Sequence, residues 1–303
     1  MNLDASSSTT AAAVAKFLGL PLHGPDVVVN TPRPLDQPHP GALLFASRFD
    51  EAIADALNAV PGICVIGHPD FADRLRVAFV PSPAPRLDFA RAAQRFFPPP
   101  RREGIAATAI VAPSARRGPG VTIGEYSVVG DGVEIGEGTE LRHHVVLHEG
   151  TRVGCRCLIK SHTVIGEEGF GFEFEEDGTP VRIPHYGHVV IGDDVEIGAM
   201  NVIARATLGE TRLADHVKTD DHVFIAHNVT VGENSVIIAG AEISGSVRIG
   251  RNVWIAPQAC ILNQLEIGDE ALVGLGAVVT KSVPPNVIVA GNPAVVRRPR
   301  FER

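Results

Sequence analysis

Aliphatic residues recur at every sixth position over most of the chain. They fall at Ile123, Val129, Ile135, Leu141, Leu147, Val153, Ile159 and Ile165, resume at Ile191, Ile197 and Ile203, and run on from Ile225 through Val231, Ile237, Ile243, Ile249, Ile255, Ile261, Ile267 and Val273 to Val279. Two residues before each early member stands a small or β-branched one: Val121, Ser127, Val133, Thr139, Val145, Thr151, Cys157 and Thr163. A period of six fits neither the helical turn nor the alternation of an amphipathic strand. It is the mark of a hexapeptide β-helix, in which short strands and turns coil into a prism and stacked coils share one core. Positions two apart on a strand face the same way, so both sets turn inward, the large residue filling the prism and the small one allowing close stacking. Three hexapeptides make a coil of about 18 residues, which predicts roughly nine coils.

The period breaks twice. Glu167 to His188, with GFGFEFEEDG at its heart, reads as a loop leaving the prism, and long loops in a compact repeat are more often functional than accidental. The register also slips between Leu208 and Leu213. Before Ile105 there is no six-residue period. There Thr10–Leu18, Arg48–Ala59 and Arg86–Phe97 read as helices, and Ala42–Phe45, Gly62–Ile66 and Arg76–Val80 as strands, the last helix being stopped by Pro98, Pro99 and Pro100. The expected organisation is a mostly β chain: a small α/β domain at 1–100, a β-helix at 101–283 with an excursion at 167–188, and a C-terminal tail at 284–303.

Composition sharpens this picture. Hydrophobic residues make up 45% of the chain but aromatics only 5%, so the core is aliphatic, and 31 glycines with 23 prolines suit a fold that turns every few residues. A net charge of -8 argues against a nucleic-acid partner. The four cysteines lack zinc-site spacing, and Cys155 and Cys157 lie within the repeat, where packing is the simplest role. No apolar run approaches the roughly 20 residues of a membrane span, and MNLDASSSTT lacks the charged-then-apolar order of a secretory signal. A reduced, cytoplasmic protein is therefore expected. His143, His144, His148 and His162 cluster in the repeat, but histidines on exposed β-helix faces need no metal, and none is assigned.

The candidate chemistry lies in TDDHVFIAHNV, Thr219 to Val229. His227 follows the inward Ile225 by two residues, which places it at a turn, and Gly245 comes one coil later. Stacking brings the backbone of the Ser244–Ser246 turn within about 4.8 Å of the imidazole. A base beside a free backbone donor is the minimum for acyl transfer: the base takes a proton from an attacking amine or hydroxyl, and the donor holds the oxyanion. Asp220, seven residues upstream, is placed to orient the ring. Spacing alone leaves open that His227 is one surface histidine among twelve.

KTDDHVFIAHNV followed by GENSVIIAGAEISGSVRIG resembles the UDP-3-O-acylglucosamine N-acyltransferases of lipid A biosynthesis. IGEEGFGFEFEEDGTPVRIPHYGHVVIGDDVEIGA is similar to that family's signature loop, and LDFARAAQRFF before GIAATAIVAPSA resembles its entry into the β-helix. The resemblance implies a left-handed parallel β-helix, a homotrimer with active sites between subunits, and acylation of the amine of a nucleotide-linked amino sugar. It makes His227 the general base, Asp220 its support and Gly245 the oxyanion donor. Phe45 and Phe49, in a shortened version of the family's uracil-binding segment, together with Asn228 and Gln264, form the substrate-binding set. Gln264 stands where the family has a second histidine.

The tail departs most. VAGNPAVVRR, Val289 to Arg298, resembles acetyl-CoA-dependent sugar acetyltransferases of the same superfamily, and Lys281, Arg297 and Arg298 suit the phosphates of such a donor. The expectation is an enzyme without a bound cofactor, moving an acyl group from acetyl-CoA or a related acyl-CoA to a nucleotide sugar for lipopolysaccharide or another surface glycan. The alternatives are the lipid A enzyme itself, taking a 3-hydroxyacyl group from acyl carrier protein, and a non-catalytic β-helix scaffold.

Overall fold

The computed structural model describes residues 8–48, 50–100 and 104–301. The chain divides at Arg101 into two compact units.

The first unit has a four-stranded parallel sheet, in the order Thr31–Pro32, Ala42–Ala46, Cys64–Gly67 and Ala78–Pro81. Its longer strands are apolar because both faces are covered. Leu43, Ile66 and Val80 pack with Val14 and Ala92 of the helices Ala11–Leu18 and Pro85–Phe96. Their neighbours Leu44, Val65 and Phe79 pack on the other side with Ala54 and Leu57 of the helix Glu51–Asn58. That helix starts later than its apolar pattern predicts, because Asp50 caps it, accepting from the amides of Ala52 and Ile53 at 2.8 and 3.4 Å. Thr10 caps the first helix in the same way. Burial pushes the Cys64 thiol up to about 12, which keeps it an inert packing group.

The second unit is a parallel β-helix. Its strands, mostly two residues long, stack into three sheets of nine, eight and ten strands. Partners usually stand one coil, or three hexapeptides, apart, as in Val128 with Val146 and Ile225 with Ile243. The six-residue aliphatic series forms one continuous core from Ile123 to Val279. The small inward positions also bond: Ser127, Thr139 and Ser235 donate to the carbonyls of Arg142, Gly154 and Gly250 at 2.8 Å each. The same oxygens accept the amides of Val145, Cys157 and Val253 one coil on, at 3.0 Å each. A buried hydroxyl thus stitches adjacent coils at corners where the strand ladder lapses. Glycine follows the aliphatic residue for a steric reason. A methyl group on Gly136 would lie 2.5 Å from the carbonyl carbon of Gly154 in the next coil.

The excursion after Ile165 is a small antiparallel hairpin, Phe172–Phe174 against Pro180–Arg182, before the chain re-enters the second sheet at His188–Ile191. The tail, expected to leave the prism at 284, only partly does so. Val287–Ala290 continues the ten-stranded sheet alongside Leu272–Val273, and Val295–Pro299 folds back antiparallel on its edge.

Candidate active site

His227 follows the strand Phe224–Ile225 of the nine-stranded sheet and is half-buried between two glycines. A methyl on Gly245 would lie 2.7 Å from its Cε1 and 2.8 Å from its Nε2, and one on Gly169 would lie 3.2 Å from its Cβ and Cδ2. Gly245 is the glycine expected one coil away. Ser244 donates its amide to Ile261 and Ser246 to the carbonyl of His227, whereas the Gly245 amide makes no hydrogen bond among the described residues. It is an unspent donor beside an imidazole nitrogen.

The tautomer of His227 follows from its neighbour. The Thr207 amide donates to Asn228 Oδ1 at 3.0 Å, and Asn228 Nδ2 donates to the Leu208 carbonyl at 2.9 Å. These two backbone partners fix which end of the Asn228 amide is oxygen. That oxygen lies 3.1 Å from His227 Nδ1, so Nδ1 carries a proton, and in the tautomer this selects the lone pair is on Nε2, toward Gly245. Asn228 holds this position with φ 60°, a left-handed conformation that asparagine tolerates better than most side chains. Its side-chain oxygen and nitrogen bond Thr207, Leu208 and His227, so it orients the His227 ring; the sequence reading counts it in the substrate-binding set.

Among the described residues Asp220 makes no ion pair or hydrogen bond with this ring. It is exposed after the strand Lys218–Thr219, which belongs to the ten-stranded sheet, while His227 leaves the nine-stranded one. The residues that set the orientation come instead from the register slip. Ile203 pairs with Ile225, a longer step along the chain than Ile225 takes to Ile243, and the extra residues carry Thr207 and Leu208. Asn228→Ala is therefore expected to lower kcat by roughly 10²-fold, since the ring loses its acceptor at Nδ1 and its fixed tilt. Steady-state kinetics beside a thermal melt would check it, and an unchanged kcat would assign the tautomer to another group.

The remaining expected residues are dispersed. The Gln264 amide donates to the Gly245 carbonyl at 2.9 Å, as the Ser246 amide does to that of His227, so Gln264 stacks over Ser246, one position along the turn from the column of His227 and Gly245. Lys281 is exposed two residues after Val279, as His227 is after Ile225 and Gly245 after Ile243, so it shares their column about three coil spacings away. Arg297 and Arg298 are exposed on the terminal hairpin of a different sheet. In the first unit, Phe45 packs against Phe89 with ring centroids 4.8 Å apart. Phe49 lies outside the described residues. Among the described residues no group of three or more His, Cys, Asp or Glu side chains is arranged to hold a metal. His143 pairs with Glu125, His144 stacks on His162 at 4.7 Å, and His148 Nε2 lies 3.3 Å from Glu167.

Sequence reasoning missed two residues. His185, in the excursion, sits edge-on to His227 with centroids 5.5 Å apart. Burial, and secondarily the nearby His227, push its imidazole below the ordinary histidine value, although its bond to the Ile183 carbonyl opposes this. Arg205, almost fully buried, ties the base of the excursion down. It donates from Nε to the Gly166 carbonyl at 2.5 Å and pairs with Glu149 at 2.7 Å, an interaction that lowers the Glu149 carboxyl below its ordinary value. The signals available were PHYG within the loop and Arg205, two residues after the core Ile203 and just before the slip.

An oriented imidazole and a free amide on a six-residue parallel coil define a hexapeptide-repeat transferase. Residues 118–149 match the family described as bacterial transferase hexapeptide (six repeats). The chain is 32% identical over 299 residues to the UDP-3-O-acylglucosamine N-acyltransferase of Coxiella burnetii, covering 92% of this chain and 87% of that protein. With the enzyme of the same name from Pseudomonas savastanoi pv. phaseolicola it shares 34% identity, over 89% of this chain and 82% of the other. The match to the Wolinella succinogenes enzyme reaches 40% but spans 50% of this chain and 47% of that one. This chain belongs to the UDP-3-O-acylglucosamine N-acyltransferase family and is an acyltransferase. Among solved structures, the UDP-N-acetylglucosamine O-acyltransferase of Moraxella catarrhalis superposes with a TM-score of 0.60 and 30% identity, over 65% of this chain and 74% of that one. The Francisella novicida UDP-N-acetylglucosamine acyltransferase does so with a TM-score of 0.59 and 26% identity, over 64% and 70%. No helix among the described residues is long and apolar enough to cross a membrane.

Proposed function

We propose that this protein transfers a 3-hydroxyacyl group from acyl carrier protein to the free amine of UDP-3-O-acylglucosamine, within a homotrimer. The observation that carries the reading is the likeness to enzymes of that name along nearly the whole chain, at 32% and 34% identity. It favours the lipid A reaction over the acyl-CoA reaction that the tail alone suggested, and membership of an enzyme family sets the scaffold aside.

In the proposed mechanism the substrate amine attacks the thioester carbonyl carbon. His227 Nε2 takes the proton released from nitrogen, and Asn228 holds the opposite side of the ring. The Gly245 amide donates to the oxyanion of the tetrahedral intermediate. As the carbon–sulfur bond breaks, the imidazolium returns its proton to the departing thiolate, so the products are an amide and a free thiol. Asn228 is neutral, so it fixes the ring without adding the electrostatic support to the imidazolium that a carboxylate would supply. Lys281, in the same column, suits the phosphate of the donor's prosthetic arm, and Arg297 and Arg298 suit an acidic carrier surface.

The test is thiol release from purified protein given UDP-3-O-acylglucosamine with either 3-hydroxyacyl carrier protein or acetyl-CoA. Turnover with the carrier protein is expected. Turnover with acetyl-CoA alone would overturn the donor assignment, and turnover with neither would overturn the reading.

A further inference from the structure

We propose that His185 is a positioning residue for the catalytic imidazole, so that the excursion between Gly166 and Gly187 forms one wall of the active site. The inference rests on the acyl-transfer reading only in taking His227 as the base. Its support is geometric. His185 is 3% exposed, and its ring meets that of His227 at 74°, edge to face, with centroids 5.5 Å apart.

The protonation of His185 follows from its partner. Nδ1 lies 3.0 Å from the Ile183 carbonyl, which can only accept, so Nδ1 carries the hydrogen and the neutral ring leaves a lone pair on Nε2. That Nε2 is buried and has no partner among the described residues. Buried acceptors left empty are uncommon and gather where function overrides stability. Gly169 explains how the two rings approach. A methyl there would meet His185 Nε2 at 2.9 Å and His227 Cβ and Cδ2 at 3.2 Å, so only glycine lets the loop lie between them.

The same segment reaches the base by a second route. Tyr186, the next residue, donates its amide to the Thr207 carbonyl at 2.9 Å, and the Thr207 amide donates to the Asn228 oxygen that holds His227 Nδ1. The loop therefore sets both the tilt of the ring, through His185, and its tautomer, through Thr207 and Asn228. A neutral ring in this place leaves His227 free to accept the substrate proton, whereas a second cation at this distance would oppose it. The other charged side chains near His185 are Glu168 and Arg182, which pair with each other.

The experiment compares wild type, His185→Ala and His185→Phe. kcat and KM are measured for 3-hydroxyacyl carrier protein with UDP-3-O-acylglucosamine, and the His227 Cε1–H resonance is followed by NMR. Loss of the ring in His185→Ala is expected to lower kcat at least about tenfold with KM within about threefold, and to move the resonance by removing the ring current. His185→Phe, which restores an aromatic edge, is expected to keep kcat within about threefold of wild type and the resonance near its original position. Equal kinetics and an unmoved resonance in both variants would overturn the proposal. So would equal loss in both, which would assign the role to Nε2 rather than the ring. A wild type without turnover would sink the functional reading instead, and the resonance, which needs no substrate, would then decide this inference by itself. Should His185→Ala fail to fold, the resonance and kinetics of His185→Phe decide.

Discussion

Replacing His227 with alanine is expected to lower kcat by about 10³-fold, the usual range for removing a positioned general base, while the melting temperature stays close to that of wild type. The stability part follows from where the ring sits. His227 is only half-buried, and its backbone carbonyl, which accepts the Ser246 amide at 2.9 Å, survives the substitution. The aliphatic core runs through Ile225 and Val229 on either side and loses nothing. Thiol release by the variant, measured beside its thermal melt, separates the two effects. Wild-type turnover in the variant would remove His227 from the chemistry, and a collapse of the melting temperature would reassign it to the fold.

Gly245→Ala should cost about 10²-fold in kcat or more, by a different route. No space exists for the new methyl: it would stand 2.7 Å from Cε1 and 2.8 Å from Nε2 of His227, well inside contact distance. The coil backbone is held on both sides of Gly245, by Ser244 to Ile261 and by Ser246 to His227, so the ring has to move and Nε2 leaves the position from which it meets the amine. The adjacent amide stays in place, so the damage falls on proton removal and not on the oxyanion. Its measure is the pre-steady-state acylation rate, alongside a crystal structure of the variant to locate the imidazole. A rate near wild type would mean that the ring rests elsewhere when substrate is bound.

Much of this architecture can be read from the spacing of residues. The sixth-position series from Ile123 to Val279, taken with the positions two residues before each member, names nearly every residue of the β-helix core because the coil imposes one period on the whole stack. The pairing of His227 with Gly245 follows from the same arithmetic, since a step of three hexapeptides places one above the other, as it does Ile225 and Ile243. What spacing leaves out are the contacts made where the period fails. Asp220 looked like the orienting group because it is close in sequence, but it belongs to a different sheet, and closeness along a coil is not closeness across it. Asn228, although adjacent to His227, gains its role from Thr207 and Leu208, whose approach depends on a register slip that the sequence locates without showing where its residues land. His185 reaches the ring only because a hairpin folds back, and nothing periodic fixes where a hairpin lands. In the first unit the helices and strands are legible from apolar runs and caps, although the apolar pattern misplaced the boundary that Asp50 sets.

The stepwise ladder also bears on how cheaply a coil of this kind accepts new machinery. Ordinary coils close their ladder after three hexapeptides, as Val128 does with Val146, whereas Arg152 waits for Val190, on the far side of the excursion. The entropy of closing a chain grows only with the logarithm of its length, so roughly doubling the span adds about 0.6 kcal/mol to the formation of that rung. The single buried arginine at the loop's base, with its bonds to Gly166 and Glu149, is enough to offset so small an amount. Folding can therefore zip past the insertion almost as readily as past any other corner. A long loop beside a base is thus a light burden for this scaffold, and each corner is a place where a new wall for a substrate could be added without remaking the stack.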